Sequence, residues 1–252
     1  MDIKRYGLIG QHINYSLSPE IFRKFFSREN LPYSYEIYNL APAQLENFIL
    51  QTPLSGFNIT IPYKQKIIPL LDALDNEAAE VTGVVNCVAV DHRRHIFMGY
   101  NTDAFGFHFM LRRLGLPQRF LHHVLILGNG ATARTIRYVM EFYYQSQVLT
   151  ISRQAKPEQG VISYNQLDKN IMDRFHLIVN TTPLGGPIYP GQAPRIPYQY
   201  LNARHVLLDL NYRPAQTRFM RLGMQNGAQA YNGLPMLVGQ AYRSWEIWKK
   251  YL

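Results

Sequence analysis

Short runs rich in β-branched and aromatic residues alternate along the chain with longer stretches whose apolar positions recur every three or four residues, the pattern of βα units that build a parallel sheet. In the first half it predicts strands at Tyr6–Ile9, Tyr33–Leu40 and Gly56–Ile61, separated by helices at Pro19–Arg28 and Pro42–Leu50. Pro62 has no N–H to give to a sheet ladder and ends the third strand. A helical stretch around Asp75–Val81 follows. Then Val84–Val90 and His95–Tyr100 flank Asp91-His92-Arg93-Arg94 as an antiparallel hairpin, expected at the sheet edge. A helix over Asp103–Leu114 runs into the breaker cluster Gly115-Leu116-Pro117-Gln118, beyond which a second α/β series opens. Its strands are expected near Val124–Leu127, Gln147–Ile151, Leu177–Asn180 and Val206–Leu210. Pro183–Pro197, rich in Pro and Gly and without periodicity, reads as a long loop over a functional face. A last helix over Leu234–Trp248 aligns Leu237, Ala241, Trp245 and Trp248.

The 252 residues suffice for two hydrophobic cores, and a 47% hydrophobic share with 17% charged residues lies far from the composition of disordered chains. The single cysteine, Cys87, cannot form an intrachain disulfide, and no Cys/His cluster has zinc-ligand spacing, so no metal is expected. No apolar run approaches the roughly 18 residues of a membrane span, and the residues after Met1-Asp2 lack a secretory pattern. The expectation is a cytoplasmic protein without a membrane partner. The formal net charge of +9 favours anions. Its basic residues are scattered, with no stripe interleaved with aromatics, so nucleic acid is not expected; an anionic cofactor and substrate explain the bias more simply.

One motif specifies the cofactor class. His123-Val124-Leu125-Ile126-Leu127 leads directly into Gly128-Asn129-Gly130-Ala131-Thr132-Ala133 and a helical pattern, a G-x-G-x-x-A turn in strand, turn, helix context. The glycines allow a tight turn and close backbone approach, the helix N-terminus offers free N–H groups to a pyrophosphate, and Ala133 keeps helix and sheet close. An NAD site places an acid at the end of the next strand, about 20 residues on. Here that strand ends in Ser152-Arg153, with Lys156 nearby, which suits the 2′-phosphate of NADP.

The first half carries hydroxyls, amides and charges at element ends. Ser16 and Ser18 precede Pro19 on a loop where Ser18 is placed to cap a helix and the pair can hold an anion. Asn58, Thr60 and Lys64 converge on one strand end, Asn58 and Thr60 sharing a face. Asn86 and Asp103 sit at further element ends, where each could also be a turn former or helix cap. Cys87, in an apolar run, reads as a small buried hydrophobe.

Taken together, these segments resemble the shikimate dehydrogenase family over essentially the whole chain. The resemblance is carried by Gly7-Leu8-Ile9-Gly10 with Ser16-Leu17-Ser18-Pro19, by Asn58-Ile59-Thr60-Ile61-Pro62-Tyr63-Lys64, by Gly83-Val84-Val85-Asn86 and by Gly99-Tyr100-Asn101-Thr102-Asp103. Further matches are Asn180-Thr181-Thr182-Pro183-Leu184-Gly185, Asp209-Leu210-Asn211-Tyr212 and Gly233 to Gln240. The resemblance implies a two-domain α/β fold: an open α/β substrate domain over residues 1–102 plus 235–252, and a Rossmann-type NADP-binding domain over 103–234, with a cleft between them. It implies that Ser16 and Ser18 hold a substrate carboxylate, with Tyr212 contributing at that end. Thr60, Asn86, Asp103 and Gln240 would bind the ring hydroxyls, Asn58 and Lys64 would also bind the substrate, and Lys64 and Asp103 would form the catalytic pair. NADP(H) would be held by Gly128, Asn129, Gly130, Ala131, Thr132, Ala133, Ser152, Arg153 and Lys156, with Thr181, Thr182, Leu210 and Gly233 completing the site. The implied partner is shikimate or 3-dehydroshikimate, and the assembly a monomer or homodimer.

The sequence departs from the family in Asn129 and Ala131 of the phosphate turn, Tyr15 before the first serine, Gly186, and Asn232 before Gly233. None removes a named catalytic group. A free lysine titrates near pH 10.4, so one acting as a base at neutral pH needs desolvation, which a neighbouring carboxylate opposes. Whether Lys64, Asp103 or the coupled pair carries the proton stays open at this level. So do two rivals, a quinate/shikimate dehydrogenase accepting NAD and a non-catalytic relative that senses the same metabolites.

Overall fold

The computed structural model describes residues 3–75 and 77–252. The chain divides into two compact units, Met1–Gly106 with Leu237–Leu252, and Phe107–Met236.

The first unit is built on β1 (Arg5–Gly10), α1 (Ser18–Arg28), β2 (Ser34–Asn39), α2 (Leu45–Leu50), β3 (Gly56–Ile59), β4 (Ala73–Leu74), α3 (Ala78–Thr82), β5 (Cys87–Asp91), β6 (Ile96–Tyr100) and the start of α4 (Thr102–Leu114). Its sheet runs β2-β1-β3-β5-β6-β4, parallel from β2 to β3 and antiparallel at β3/β5 and β5/β6. The hairpin predicted for the edge is therefore one strand inside it. The two-residue β4 covers β6, because Asp72 and Asp75 donate backbone N–H groups to the carbonyls of Phe97 and Gly99. A strand this short leaves no periodicity to read. The predicted helix around Asp75–Val81 is the short α3; Asn76 lies outside the described residues, as do Met1 and Asp2.

Aromatic packing closes one face of this sheet. Tyr6 stacks on Trp248 with centroids 4.8 Å apart, Phe22 stacks on Tyr35 at 4.2 Å, and Trp245 meets Phe26 edge-on at 5.2 Å. Both tryptophans are fully buried, and the Trp248 indole N–H donates to the Val88 carbonyl at 2.9 Å. Each such aromatic buries on the order of 150–250 Å², so this cluster is a principal source of the unit's stability.

The second unit contains β7 (His123–Leu127), α5 (Ala131–Tyr144), β8 (Gln147–Ser152), β9 (Val161–Ser163), α6 (Lys169–Arg174), β10 (Leu177–Asn180), β11 (Val206–Asp209), α7 (Arg218–Gln225) and β12 (Gln229–Asn232), and leads into α8 (Leu234–Trp248). The sheet is wholly parallel in the order β12-β11-β10-β7-β8-β9, the doubly wound arrangement of a Rossmann domain, with its reversal between β7 and β10. Val124 to Leu127, Leu177 to Val179 and Val206 to Leu208 are fully buried, as strands covered on both faces must be. The short edge strands β9 and β12 and the helices α6 and α7 are additions to the elements expected. The segment from Pro183 to Pro197 carries no helix or strand, as expected, apart from an isolated bridge between Leu184 and Tyr189.

Candidate active site

In the first unit the carboxyl ends of β1 and β3, the turn before β5 and the start of α4 bring together most of the residues singled out above. Lys64 follows a cis Ile61-Pro62 bond and is fixed by its neighbour Tyr63, which is buried and donates its hydroxyl to the Leu40 carbonyl at 2.6 Å. The Lys64 carbonyl accepts from Val85 N–H. Lys64 Nζ lies 2.6 Å from Asp103 Oδ2, and the two side chains are only 12% and 9% exposed. An ion pair this dehydrated interacts more strongly than one at the surface, provided its remaining lone pairs are satisfied. Asn86 satisfies them: its Nδ2 donates to Asp103 Oδ1 at 3.0 Å while its Oδ1 accepts from Thr102 N–H at 2.6 Å. The carboxylate is thus held from both sides, with Lys64 on one oxygen and Asn86 on the other.

Asn58 lies beneath this layer. Its Oδ1 accepts from the Tyr35 hydroxyl at 2.9 Å, and its Nδ2 donates to the Asn86 carbonyl at 3.1 Å and to Ser244 Oγ at 2.9 Å. Both amide hydrogens are committed to protein, so Asn58 acts as a support for Asn86. Gln240, on α8, turns its Oε1 toward Asn86 Nδ2 and Thr102 Oγ1, each 3.5 Å away. One helical turn on, the buried Ser244 joins Thr102 Oγ1 at 3.1 Å and donates to the Gln240 carbonyl at 2.9 Å. Tyr35, Thr102 and Ser244 were missed in the sequence. For Ser244 a signal existed, its i,i+4 spacing from Gln240 on one helix face.

Ser16 and Ser18 meet at the N-terminus of α1, where Ser16 Oγ donates to Ser18 Oγ at 3.2 Å and accepts from Ser18 N–H at the same distance. Ser18 is not the cap that the sequence suggested: the helix starts one residue earlier, its N-cap is Leu17, which has no side-chain group to cap with, and the Ser18 N–H is taken by Ser16 Oγ. Two hydroxyls and an uncapped helix N-terminus favour an anion. Thr60, half-buried, follows the end of β3, and its carbonyl accepts from Tyr63 N–H. Cys87 is fully buried and burial pushes its thiol up to about 12, so it is no nucleophile.

The second unit carries the dinucleotide features at its switch point. Gly128 sits at φ +108°, a left-handed region that disfavours side chains, and its N–H donates to the Ile151 carbonyl at 2.8 Å. A Cβ at Gly130 would meet nothing within 4 Å, so open space lies over the start of α5, where no side chain caps the first N–H groups. A phosphate fits such a cradle. Asn129, Ala131 and Thr132 line this turn partly exposed, while Ala133 is buried against the sheet. Ser152 ends β8, and Arg153 and Lys156 follow it exposed to solvent, as a 2′-phosphate site at the strand end requires. Across the switch point Thr181 Oγ1 donates to the Leu127 carbonyl at 2.7 Å, tying the loop after β10 to the one after β7. Leu210, Tyr212 and Thr182 lie half-buried on the loops after β11 and β10.

The Shikimate dehydrogenase substrate binding domain model matches residues 8–88. A shikimate dehydrogenase (NADP(+)) of Clostridium botulinum (strain 657 / Type Ba4) is 37% identical, covering 96% of this chain and 95% of the relative. The chain belongs to the shikimate dehydrogenase family. Among solved members, the shikimate dehydrogenase of Aquifex aeolicus superposes with a TM-score of 0.86 at 28% identity, covering 98% of this chain and 93% of that one. The shikimate 5-dehydrogenase of Thermus thermophilus, solved with NADP(H) and shikimate, also gives 0.86, at 26% identity, over 98% of this chain and 94% of that one. No described helix of this family member is long and apolar enough to cross a membrane, and no described group of His, Cys, Asp and Glu could hold a metal ion.

Gly233, expected from the resemblance to lie on the cofactor side, offers a direct check. A Cβ there would lie 2.3 Å from the Leu210 carbonyl oxygen, so Gly233→Ala must displace backbone at the end of β11. The variant is expected to lose about 1–3 kcal/mol of stability. Its KM for NADP should rise while binding of shikimate to the first unit stays as in the parent; thermal unfolding and calorimetric titration read the two effects.

Proposed function

We propose that this protein catalyses the reversible reduction of 3-dehydroshikimate to shikimate with NADPH, and that Lys64 and Asp103 are its proton-transfer pair. The observation that carries the reading is the 2.6 Å Lys64–Asp103 pair, held by Asn86 at a strand end that also presents hydroxyls and a carboxamide. A pair of this kind is the acid/base element needed beside a hydroxyl that becomes a ketone.

NADP(H) fits the turn from Gly128 to Ala133, with Ser152, Arg153 and Lys156 toward its 2′-phosphate and Thr181, Thr182, Leu210 and Gly233 on the other side of the switch point. When bound there it donates or accepts the hydride. The protein's part is binding, orientation and the proton. Ser16 and Ser18 take the ring carboxylate. Thr60, Asn86 and Gln240 orient the ring hydroxyls, Asn58 holding Asn86 from below. Lys64 Nζ then donates a proton to the carbonyl oxygen as that oxygen gains charge, and in the reverse direction accepts the hydroxyl proton. Asp103 holds the ammonium in place and offsets the change in its charge.

Initial rates with shikimate or quinate, each with NADP or NAD, test the reading. Activity with shikimate and NADP is expected to dominate. Arg153→Gln should raise KM for NADP about tenfold or more, the cost of losing a charge-assisted hydrogen bond, and leave KM for NAD unchanged. Equal rates with quinate or NAD would replace it with a dual-substrate enzyme. Saturable ligand binding without turnover would mark a metabolite sensor. An NADPH-dependent biosynthetic step fits a cytoplasmic protein, acting as a monomer or homodimer.

A further inference from the structure

The second unit buries a carboxylate that the proposed chemistry does not use. Asp209, the last residue of β11, is wholly inaccessible to solvent. Its Oδ1 accepts from Asn180 Nδ2 at 3.0 Å, Asn211 N–H at 3.1 Å and Asn211 Nδ2 at 2.8 Å, and its Oδ2 accepts from Thr217 Oγ1 at 2.5 Å. All four donors are neutral. Burial pushes its pKa up from the ordinary carboxylate value while these hydrogen bonds pull it back.

Each donor organises a different part of the loops beyond the strands. Asn180 accepts from Thr182 N–H at 3.0 Å and Thr182 Oγ1 at 2.6 Å and donates to the Leu184 carbonyl. Asn211 donates to the carbonyls of Thr182 and Leu184, and its own carbonyl accepts from Gly233 N–H. Thr217 is the N-cap of α7, its Oγ1 accepting from Met220 N–H. The loops after β10, β11 and β12 are thus joined through one carboxylate. In a doubly wound sheet the dinucleotide lies across the carboxyl edge at the switch point. With its pyrophosphate on the Gly128 turn and its 2′-phosphate near Arg153, the half over β10 to β12 receives the nicotinamide end.

We infer that Asp209 is a positioning residue that holds the loops after β10, β11 and β12 in the arrangement that accepts the nicotinamide end of the cofactor. The inference rests on the function proposed above. A carboxamide has the same shape but offers N–H groups where the carboxylate only accepts. In Asp209→Asn one of the two oxygens facing donors is replaced by a donor, so Asn180, Asn211 or Thr217 must turn away.

The test compares two probes, NADPH and adenosine 2′,5′-bisphosphate, which reaches only the half of the site over β7 to β9. Fluorescence titration of Asp209→Asn should show NADPH binding about tenfold weaker, with the affinity for the bisphosphate unchanged. Thr217→Val, which removes the hydroxyl that donates to Oδ2, should repeat the split, and Thr217→Ser should restore parental binding; if Asp209→Asn does not fold, this pair decides. Parental NADPH affinity in both folded variants would overturn the inference. So would equal loss of both probes, which is the mark of a merely destabilised unit. Failure of the parent protein to bind the bisphosphate would instead overturn the assignment of the dinucleotide site.

Discussion

Lys64→Met is expected to lower kcat for shikimate oxidation by about 10³, within the range of 10² to 10⁴ contributed by a positioned acid/base group. Methionine keeps the unbranched stem while removing the ammonium group proposed to exchange a proton with the reacting oxygen. The substitution also leaves Asp103, 9% exposed, facing an apolar side chain. Removing one partner of a buried pair costs about 3–5 kcal/mol when the other charge stays uncompensated. Here Asn86 still donates to the Asp103 carboxylate, so the charge is not left without a partner and a smaller loss of Tm is expected. Activity and stability are therefore separable: kcat by initial rates, fold by circular dichroism, and shikimate affinity by calorimetry, which should change by less than about tenfold. Near-parental kcat in the folded variant would remove Lys64 from the proton-transfer role.

Asp103→Asn is expected to lower kcat by about 10² and to raise KM for shikimate as well. The carboxamide oxygen can still accept from Asn86 Nδ2, but its NH₂ then meets the Lys64 ammonium, donor against donor. Lys64 loses its fixed position and the substrate loses one orienting group, hence an effect on both constants. The double variant is the sharper measurement. If Asp103 acts through Lys64, adding Asp103→Asn to Lys64→Met should change kcat little beyond the single substitution, a strongly non-additive cycle. Fully additive losses would mean that Asp103 handles the proton on its own.

The parts of the molecule legible in the sequence were those written in local patterns. The Gly128 turn follows a strand and opens a helix within a few residues, so composition and order alone place it. The strands β7, β10 and β11 are continuous apolar runs because both faces are buried. Edge elements were harder: β9 has three residues and β12, Gln229–Asn232, is mostly polar, so neither shows a period. Residues 42–44 form a 3-10 turn, not the first turn of a helix over Pro42–Leu50, a distinction set by backbone bonds and invisible to side-chain spacing. In the site, Lys64 and Asp103 are 39 residues apart, and Ser244 is 186 residues from Asn58, which it holds. Contacts at such separations depend on how the strands are ordered. Family resemblance singled out Asn58 as a substrate residue, not as a support for Asn86, and it did not single out Tyr35, Thr102 and Ser244, which share that layer.

The first unit is discontinuous. Trp245 and Trp248 pack against Tyr6, Phe22 and Phe26, so the aromatic core of a domain begun by β1 is completed by a helix that follows the whole of the second unit in the chain. On the ribosome, which elongates at roughly 5–20 residues per second, the emerging β1 to β6 sheet must wait for the whole of the second unit before that face is covered. The second unit is continuous in sequence and can fold as soon as it emerges. The unit translated first is thus the one whose aromatic core closes only after the other has been made.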